Sequence, residues 1–223
     1  MGGMSWESTV PYYRIINETV QQKMGGLHSA RLLLHSVDFA EIEADQARGE
    51  WEKSTQVLGE AALGLERAGA DLIVICTNTM HKVAPQIAAM ISIPILHIAD
   101  ATADALLEDG VTRVALLGTK YTMTQDFYKE RLISRGIEVL IPDETDVETV
   151  NRVIYDELCR GIISDESRRE FVRIIRKLGE RGARGVILGC TEIGLLIRQE
   201  DVNLPVFDTT AIHATRAALA ALA

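Results

Sequence analysis

The sequence is poor in the residues that build disulfide frameworks and metal sites. Its three cysteines, Cys76, Cys159 and Cys190, include no Cys-x-x-Cys pair, and its five histidines show no His-x-x-x-His spacing. These spacings exclude a disulfide scaffold and a zinc knuckle, and they predict no metal site. In a reducing compartment, isolated thiols either fill space in the core or carry out chemistry.

Further absences narrow the class of protein. No apolar run approaches the roughly 20 residues that span a bilayer, and no start resembles a signal peptide, so we expect a cytoplasmic protein without membrane contact. The formal charge of −9 argues against nucleic-acid binding. The one basic cluster, at 168–177, is interleaved with apolar residues, which predicts an amphipathic helix with a solvated basic side; a phosphate-binding patch is the alternative.

Short apolar runs alternate with amphipathic stretches along the chain. The runs are apolar on both faces, as strands of a parallel sheet covered by helices should be. These predicted strands are 31–36, 72–76, 95–98, 114–118, 137–141, 186–189 and 206–207. One predicted helix covers 51–68 and ends at Gly69. The alternation predicts an α/β fold with mainly parallel sheets flanked by helices.

An internal repeat divides the chain. Residues 66–77 align with residues 180–191 at one constant offset, which matches Cys76 to Cys190, and Gly2-Gly3-Met4 echoes Gly118-Thr119-Lys120. We therefore predict two pseudo-symmetric lobes, 1–100 and 101–223, with the active site in the cleft between them and the last helix packing back on the first lobe. An apolar strand precedes Gly118 but only Met1 precedes Gly2, so we expect the first lobe to lack its opening strand.

Each half places one cysteine where a strand ends and a helix begins, the edge at which ligands collect in parallel sheets. Cys76 is followed by Thr77-Asn78-Thr79, and Cys190 by Thr191-Glu192, which are polar residues typical of helix caps. A helix N-terminus holds carboxylates and lowers the pKa of a thiol. Two thiols facing one carbon from opposite lobes can remove an α-proton on one face and deliver one on the other, as a two-base racemase requires.

Three stretches also resemble a known family: Gly2-Gly3-Met4-Ser5-Trp6-Glu7-Ser8-Thr9, Cys76-Thr77-Asn78-Thr79-Met80-His81 and Gly189-Cys190-Thr191-Glu192-Ile193. They are similar to the aspartate/glutamate racemase superfamily, in the branch of aspartate/glutamate-specific or broad-specificity amino-acid racemases. The resemblance implies a two-lobed α/β fold, an amino-acid substrate, no pyridoxal phosphate or other cofactor, no metal and a homodimer. It implies that Cys76 and Cys190 transfer protons. The predicted substrate-binding residues are Met4, Gln46, Thr77, Asn78, Thr79, Thr119, Thr191 and Glu192.

Two positions depart from the pattern of aspartate-specific relatives. Glu41-Ile42 stands where they carry an Asp-Arg pair, whose arginine binds the side-chain carboxylate, and Cys159-Arg160 stands where a lysine is expected. Losing these cations weakens the case for strict aspartate recognition, unless Arg48 or Arg160 replaces them. The predicted substrates are therefore aspartate, glutamate or a broader set of amino acids.

Other functions stay open at this point. A thiol-dependent hydrolase or a dicarboxylate cis–trans isomerase would use one cysteine as a covalent nucleophile. A non-catalytic amino-acid-binding protein would need the anion-binding helix termini but neither thiol. Of the remaining chemical residues, Cys159 is predicted to be packing or pocket wall, and His81 to lie on a helix surface or at a cap.

Overall fold

The computed structural model describes all 223 residues and confirms an α/β fold with parallel sheets flanked by helices. The helices are α1 (Trp6–Met24), α2 (Phe39–Arg48), α3 (Trp51–Arg67), α4 (Ala84–Ala88), α5 (Ile98–Glu108), α6 (Lys120–Thr124), α7 (Asp126–Ile133), α8 (Glu144–Asp156), α9 (Asp165–Glu180), α10 (Ile193–Leu196) and α11 (Thr209–Ala221). The strands are β1 (Ile73–Val74), β2 (Ile95–Leu96), β3 (Arg113–Gly118), β4 (Glu138–Leu140), β5 (Val186–Gly189) and β6 (Val206–Asp208). No helix has the length and apolar character needed to cross a membrane.

The chain forms two compact units. The first unit comprises Met1–Ile98 together with His213–Ala223, and the second unit comprises Ala99–Ile212.

The second unit is built on a four-stranded parallel sheet in the order β4-β3-β5-β6. The central strand β3 is buried on both faces, because Ala115 and Leu117 pack with α8 and α9 while Val114 and Leu116 are buried on the other side. Strands β3 and β5 end in register at Gly118 and Gly189. A Cβ atom on Gly118 would lie only 2.6 Å from the Gly189 carbonyl oxygen, so this close approach requires glycine.

The first unit repeats this order with shorter strands. Strand β1 pairs in parallel with β2. On its other side, the Met1 ammonium donates to the Val74 carbonyl (2.7 Å) and the Cys76 N–H donates to the Met1 carbonyl (2.9 Å). Gly2 in turn pairs with the backbone at His35 and Val37. The extended segments therefore follow the order 35–37, 1–2, 73–76, 95–96, which matches β4-β3-β5-β6 and supports the internal repeat.

One predicted strand is largely absent. Within 31–36 only Ser36 forms a bridge, to Gly2, and the rest of the segment has no ladder. Leu32, Leu33 and Leu34 are exposed, so their apolar character does not reflect burial in a sheet. A strand forms only where a neighbouring strand supplies successive backbone hydrogen bonds. Here the neighbouring backbone offers a single bridge, between Gly2 and Ser36.

The basic cluster lies on α9, which confirms the amphipathic helix. Phe171, Ile174, Ile175 and Leu178 are buried in the core of the second unit. On the polar side, Arg173 pairs with Asp146 (2.6 Å), and Lys177 pairs with the same carboxylate (3.0 Å). The Asp146 carboxylate therefore offsets part of the positive charge on this side of the helix.

Candidate active site

Cys76 follows β1 at the carboxyl edge of the sheet in the first unit. It is 6% exposed and packs against Tyr12 of α1 and Ala214 of α11. Thr77, Asn78 and Thr79 come next and are buried as well, leading into a 3₁₀ turn over Thr79–Val83. Asn78 occupies the cap position of this turn without making a side-chain cap hydrogen bond. The polar run after Cys76 is therefore held inside the protein rather than used to cap a helix.

Cys190 occupies the equivalent edge of the second unit, directly after β5. Its thiol, also 6% exposed, donates to Glu192 Oε2 at 3.0 Å. The Thr191 hydroxyl donates to the same oxygen at 2.9 Å, and the Cys159 thiol also hydrogen-bonds the Glu192 carboxylate. Glu192 is itself buried. Its carboxylate therefore accepts hydrogen bonds from three side chains beside the end of β5: Cys190, Thr191 and Cys159.

The expectation that helix termini lower the pKa values of these thiols is wrong. Burial raises the pKa of the Cys76 thiol, although the Met1 ammonium beside it acts in the opposite direction. Burial raises the pKa of the Cys190 thiol well above its usual range, and the charge of Glu192 raises it further. The helices after both thiols are short, since α10 has four residues and the turn after Cys76 has five. Desolvation therefore outweighs the field of the helix termini.

The other predicted substrate-binding residues lie near the strand ends of their own units. Met4 is buried in the core of the first unit, where Gln46 of α2 donates its amide to the Met80 sulfur at 2.9 Å. Thr119 follows β3 and caps α6, accepting from the Thr122 N–H with its hydroxyl (3.3 Å). Because β3 and β5 are neighbours in register, Thr119 lies beside Cys190 at the same edge.

The first unit contains a buried histidine cluster, formed by His81, His97 and His213, that no sequence pattern predicts. The sequence predicts His81 on a helix surface or at a cap, but the residue is only 1% exposed, and its ring lies 4.5 Å from that of His97 and 5.7 Å from that of His213. Burial lowers the pKa of His81 well below its usual range and lowers that of His213 to about 4. Both rings are therefore neutral at pH 7. The position of His81 five residues after Cys76 was a signal, but pairing with histidines so distant in sequence is a tertiary property.

We expect the histidine cluster to make the protein less stable in acid. Unfolded histidine titrates near pH 6.5, whereas His213 titrates at about 4 in the fold. The unfolded chain binds more protons between these values, so the free energy of unfolding falls as pH drops from 6.5 towards 4, by about 3 kcal/mol for this residue. Urea unfolding at pH 7, 5.5 and 4.5 measures the loss.

His213→Asn should reduce this pH dependence, because it removes the buried titrating ring. His35→Asn, at an exposed position, is the matched control and should leave the pH dependence unchanged. An equal slope in His213→Asn and wild type would contradict this prediction.

Residues 1–217 match the family described as Asp/Glu/hydantoin racemase. The chain is similar to the crystal structure of a proposed Asp/Glu racemase from Yersinia pestis, with 57% identity, a TM-score of 0.92 and coverage of 100% of this chain and 97% of that one. An aspartate racemase homologue from Pyrococcus horikoshii OT3 shows 39% identity, a TM-score of 0.86 and the same coverage. The broad-specificity amino-acid racemase RacX of Bacillus subtilis strain 168 is 23% identical over 95% of this chain and 92% of its own length.

Each of these three proteins is described as a racemase or a racemase homologue. The comparisons therefore give no support to a thiol-dependent hydrolase, a dicarboxylate cis–trans isomerase or a non-catalytic binding protein.

Proposed function

The chain belongs to the Asp/Glu/hydantoin racemase family and is an amino-acid racemase, and we propose that Cys76 and Cys190 are its proton-transfer pair in a reaction without cofactor. The observation that carries this proposal is the matched placement of the two thiols. Each is buried at the carboxyl edge of a parallel sheet, within two residues of the end of the equivalent strand, β1 for Cys76 and β5 for Cys190. Two equivalent acid–base groups are what inversion of one carbon requires, since the proton leaves one face and arrives on the other.

The proposed reaction moves two protons. With one cysteine as thiolate and the other as thiol, the thiolate takes the α-proton and becomes a thiol. The electron pair of the broken C–H bond spreads into the substrate carboxylate, and the second thiol gives its proton to the opposite face of the carbon. The raised pKa values of both buried thiols support this scheme, because a weakly acidic thiol is a stronger base once ionised.

Glu192 is the group that exchanges protons with Cys190 in this proposal. Its carboxylate accepts the thiol hydrogen bond at 3.0 Å, so Cys190 is the protonated partner at rest. When Cys190 has to act as the base, the proton passes to Glu192, and it returns when Cys190 acts as the acid. A hydrogen-bonded, water-poor pair suits this exchange because the proton moves over a short distance.

We propose that polar groups beside the thiols hold the substrate carboxylate and amine. These groups would be Thr77, Asn78 and Thr79 after Cys76, and Thr119 and Thr191 beside Cys190. The burial of all five supports this role, since hydrogen-bond donors are more effective where water is excluded. Met4 and Gln46 would line the edge of the substrate site.

The proposed substrate range is broad rather than restricted to aspartate. Ile42 is buried in the apolar core of the first unit at the position where aspartate-specific relatives carry an arginine. Arg48, a candidate replacement, pairs with Asp45 (2.6 Å) and Glu50 (2.9 Å). Binding an acidic side chain with Arg48 would require these pairs to break, whereas a neutral side chain needs no cation.

A panel of amino acids tests this function. We expect L-homoserine or L-Met to be racemised at least as fast as L-Asp and L-Glu, with no added cofactor, because Ile42 offers no charge to a second carboxylate and Arg48 is already paired with two acidic residues. Chiral chromatography of each reaction, started separately from the L- and D-forms, measures the rates. Strict preference for L-Asp would contradict the broad range, and no turnover of any amino acid would contradict the function itself.

We further propose that the enzyme is a cytoplasmic homodimer. The free state of all three cysteines suits a reducing compartment. Trp6, Val10 and Tyr13 lie along one face of α1 and are more than half exposed, which provides apolar surface for a second copy to cover.

A further inference from the structure

One hydrogen bond ties His81 to the loop that carries Cys76. His81 lies in the 3₁₀ turn over Thr79–Val83, and its Nδ1 is 2.7 Å from the Thr77 carbonyl oxygen. On the other side of the ring, the backbone N–H of Ile98 donates to Nε2 at 3.2 Å. A backbone N–H can only donate, so Nε2 is the acceptor and the ring proton sits on Nδ1. His81 therefore donates its N–H to the Thr77 carbonyl.

The surroundings keep this ring neutral and in place. A protonated His81 would carry an N–H at both nitrogens and lose the bond from Ile98. The neighbouring His213 is also fixed by two hydrogen bonds, since its Nε2 donates to the Leu96 carbonyl (2.8 Å) and its Nδ1 accepts from the Tyr12 hydroxyl (2.8 Å). The cluster connects the Cys76 loop to the end of β2, to the first residue of α5, and to Tyr12 of α1 and His213 of α11.

The bond to Thr77 determines the orientation of a whole peptide group. The Thr77–Asn78 peptide is planar and trans, so its N–H points away from its carbonyl. Holding the carbonyl against His81 therefore directs the Asn78 N–H to the opposite side. The same peptide lies one residue after Cys76, so anchoring it also limits the movement of the backbone that carries the thiol.

We propose that His81 is a positioning residue for the Cys76 half of the reaction, an inference that rests on the two-thiol function proposed above. By anchoring the Thr77 carbonyl, it aims the Cys76 thiol and the Asn78 N–H at the substrate. It does not touch the reacting carbon. Loss of His81 should therefore slow proton transfer only on the face of the substrate carbon that Cys76 serves. A general defect in folding would instead slow proton transfer on both faces.

The test is the exchange of the α-hydrogen with D₂O, followed by NMR at saturating substrate, for each enantiomer of the fastest amino acid of the panel. Cys76→Ser identifies the enantiomer whose exchange depends on Cys76. In His81→Leu, we expect that exchange to fall about 10- to 100-fold, because a displacement near 1 Å costs about that much. Exchange of the other enantiomer should stay within about threefold of wild type.

Two further variants separate the hydrogen bond from the bulk of the ring. His81→Asn places an amide nitrogen near the position of Nδ1 and should restore most of the Cys76-dependent exchange. His81→Gln fills the space without a donor at that position and should behave like His81→Leu; if His81→Leu does not fold, the comparison of Asn with Gln decides. Tyr128→Phe, which removes a buried hydroxyl contact to Thr102 in the second unit, is the control and should leave both exchanges unchanged.

The outcomes distinguish this inference from the function on which it rests. Equal losses at both faces in the His81 variants, or wild-type exchange at both, would overturn the positioning role while the cysteine variants still support the two-thiol reaction. Normal racemisation by Cys76→Ser would instead overturn the function, whatever the His81 variants do.

Discussion

Replacing Cys76 or Cys190 by serine is expected to lower racemisation by about 10³-fold or more, while each variant keeps exchange of one enantiomer. A hydroxyl is a far weaker acid than a thiol, so the changed face can neither lose nor supply a proton at a useful rate. The unchanged thiol can still remove the α-proton on its own side and return a deuteron to the same face. Chiral chromatography measures racemisation, and NMR in D₂O measures exchange.

The two single variants should be mirror images of each other. Cys76→Ser should retain exchange of one enantiomer and Cys190→Ser that of the other, and the double variant should lose both. Serine is nearly isosteric with cysteine, so an unchanged melting temperature is the control for folding. Wild-type racemisation by either single variant would rule out the two-thiol mechanism.

Glu192→Gln is expected to lower the Cys190-dependent exchange by about 100-fold, the contribution typical of a positioned acid–base group. The amide can still accept hydrogen bonds from Cys190 and Thr191 but cannot take a proton from the thiol. Exchange through Cys76 should change by no more than about threefold. Both quantities come from the same D₂O measurement.

The same variant should also shift the titration of Cys190. The Glu192 charge raises the pKa of this thiol, so removing the charge should lower the pKa and allow alkylation by iodoacetamide at a lower pH. Glu166→Gln, on an exposed position of α9, is the control and should alter neither exchange nor alkylation. Unchanged Cys190-dependent exchange in Glu192→Gln would exclude the carboxylate as the proton partner.

The electrostatics of the site depend on burial more than on helix termini. The motif after each cysteine correctly indicated a strand end and the start of a helix, but not the length of that helix. With four residues in α10, the helix field is weak, whereas the loss of water around the buried thiol acts in full. The charge of Glu192 also raises the pKa of Cys190. Glu192 is only two residues away, and its carboxylate accepts a hydrogen bond from the thiol.

The chain of amino acids by itself determined the α/β class, the parallel strands and the repeat that pairs Cys76 with Cys190, because these follow from periodicity and local motifs. It did not determine whether the apolar run 31–36 would find a strand to pair with, since pairing depends on a neighbour supplied by distant residues. Likewise, only the tertiary structure brought His97 and His213 around His81, and turned Glu192 and Cys159 toward one another. The ionisation of buried groups depends on the water that folding removes and on the partners that folding brings near. Local sequence motifs predict neither of these.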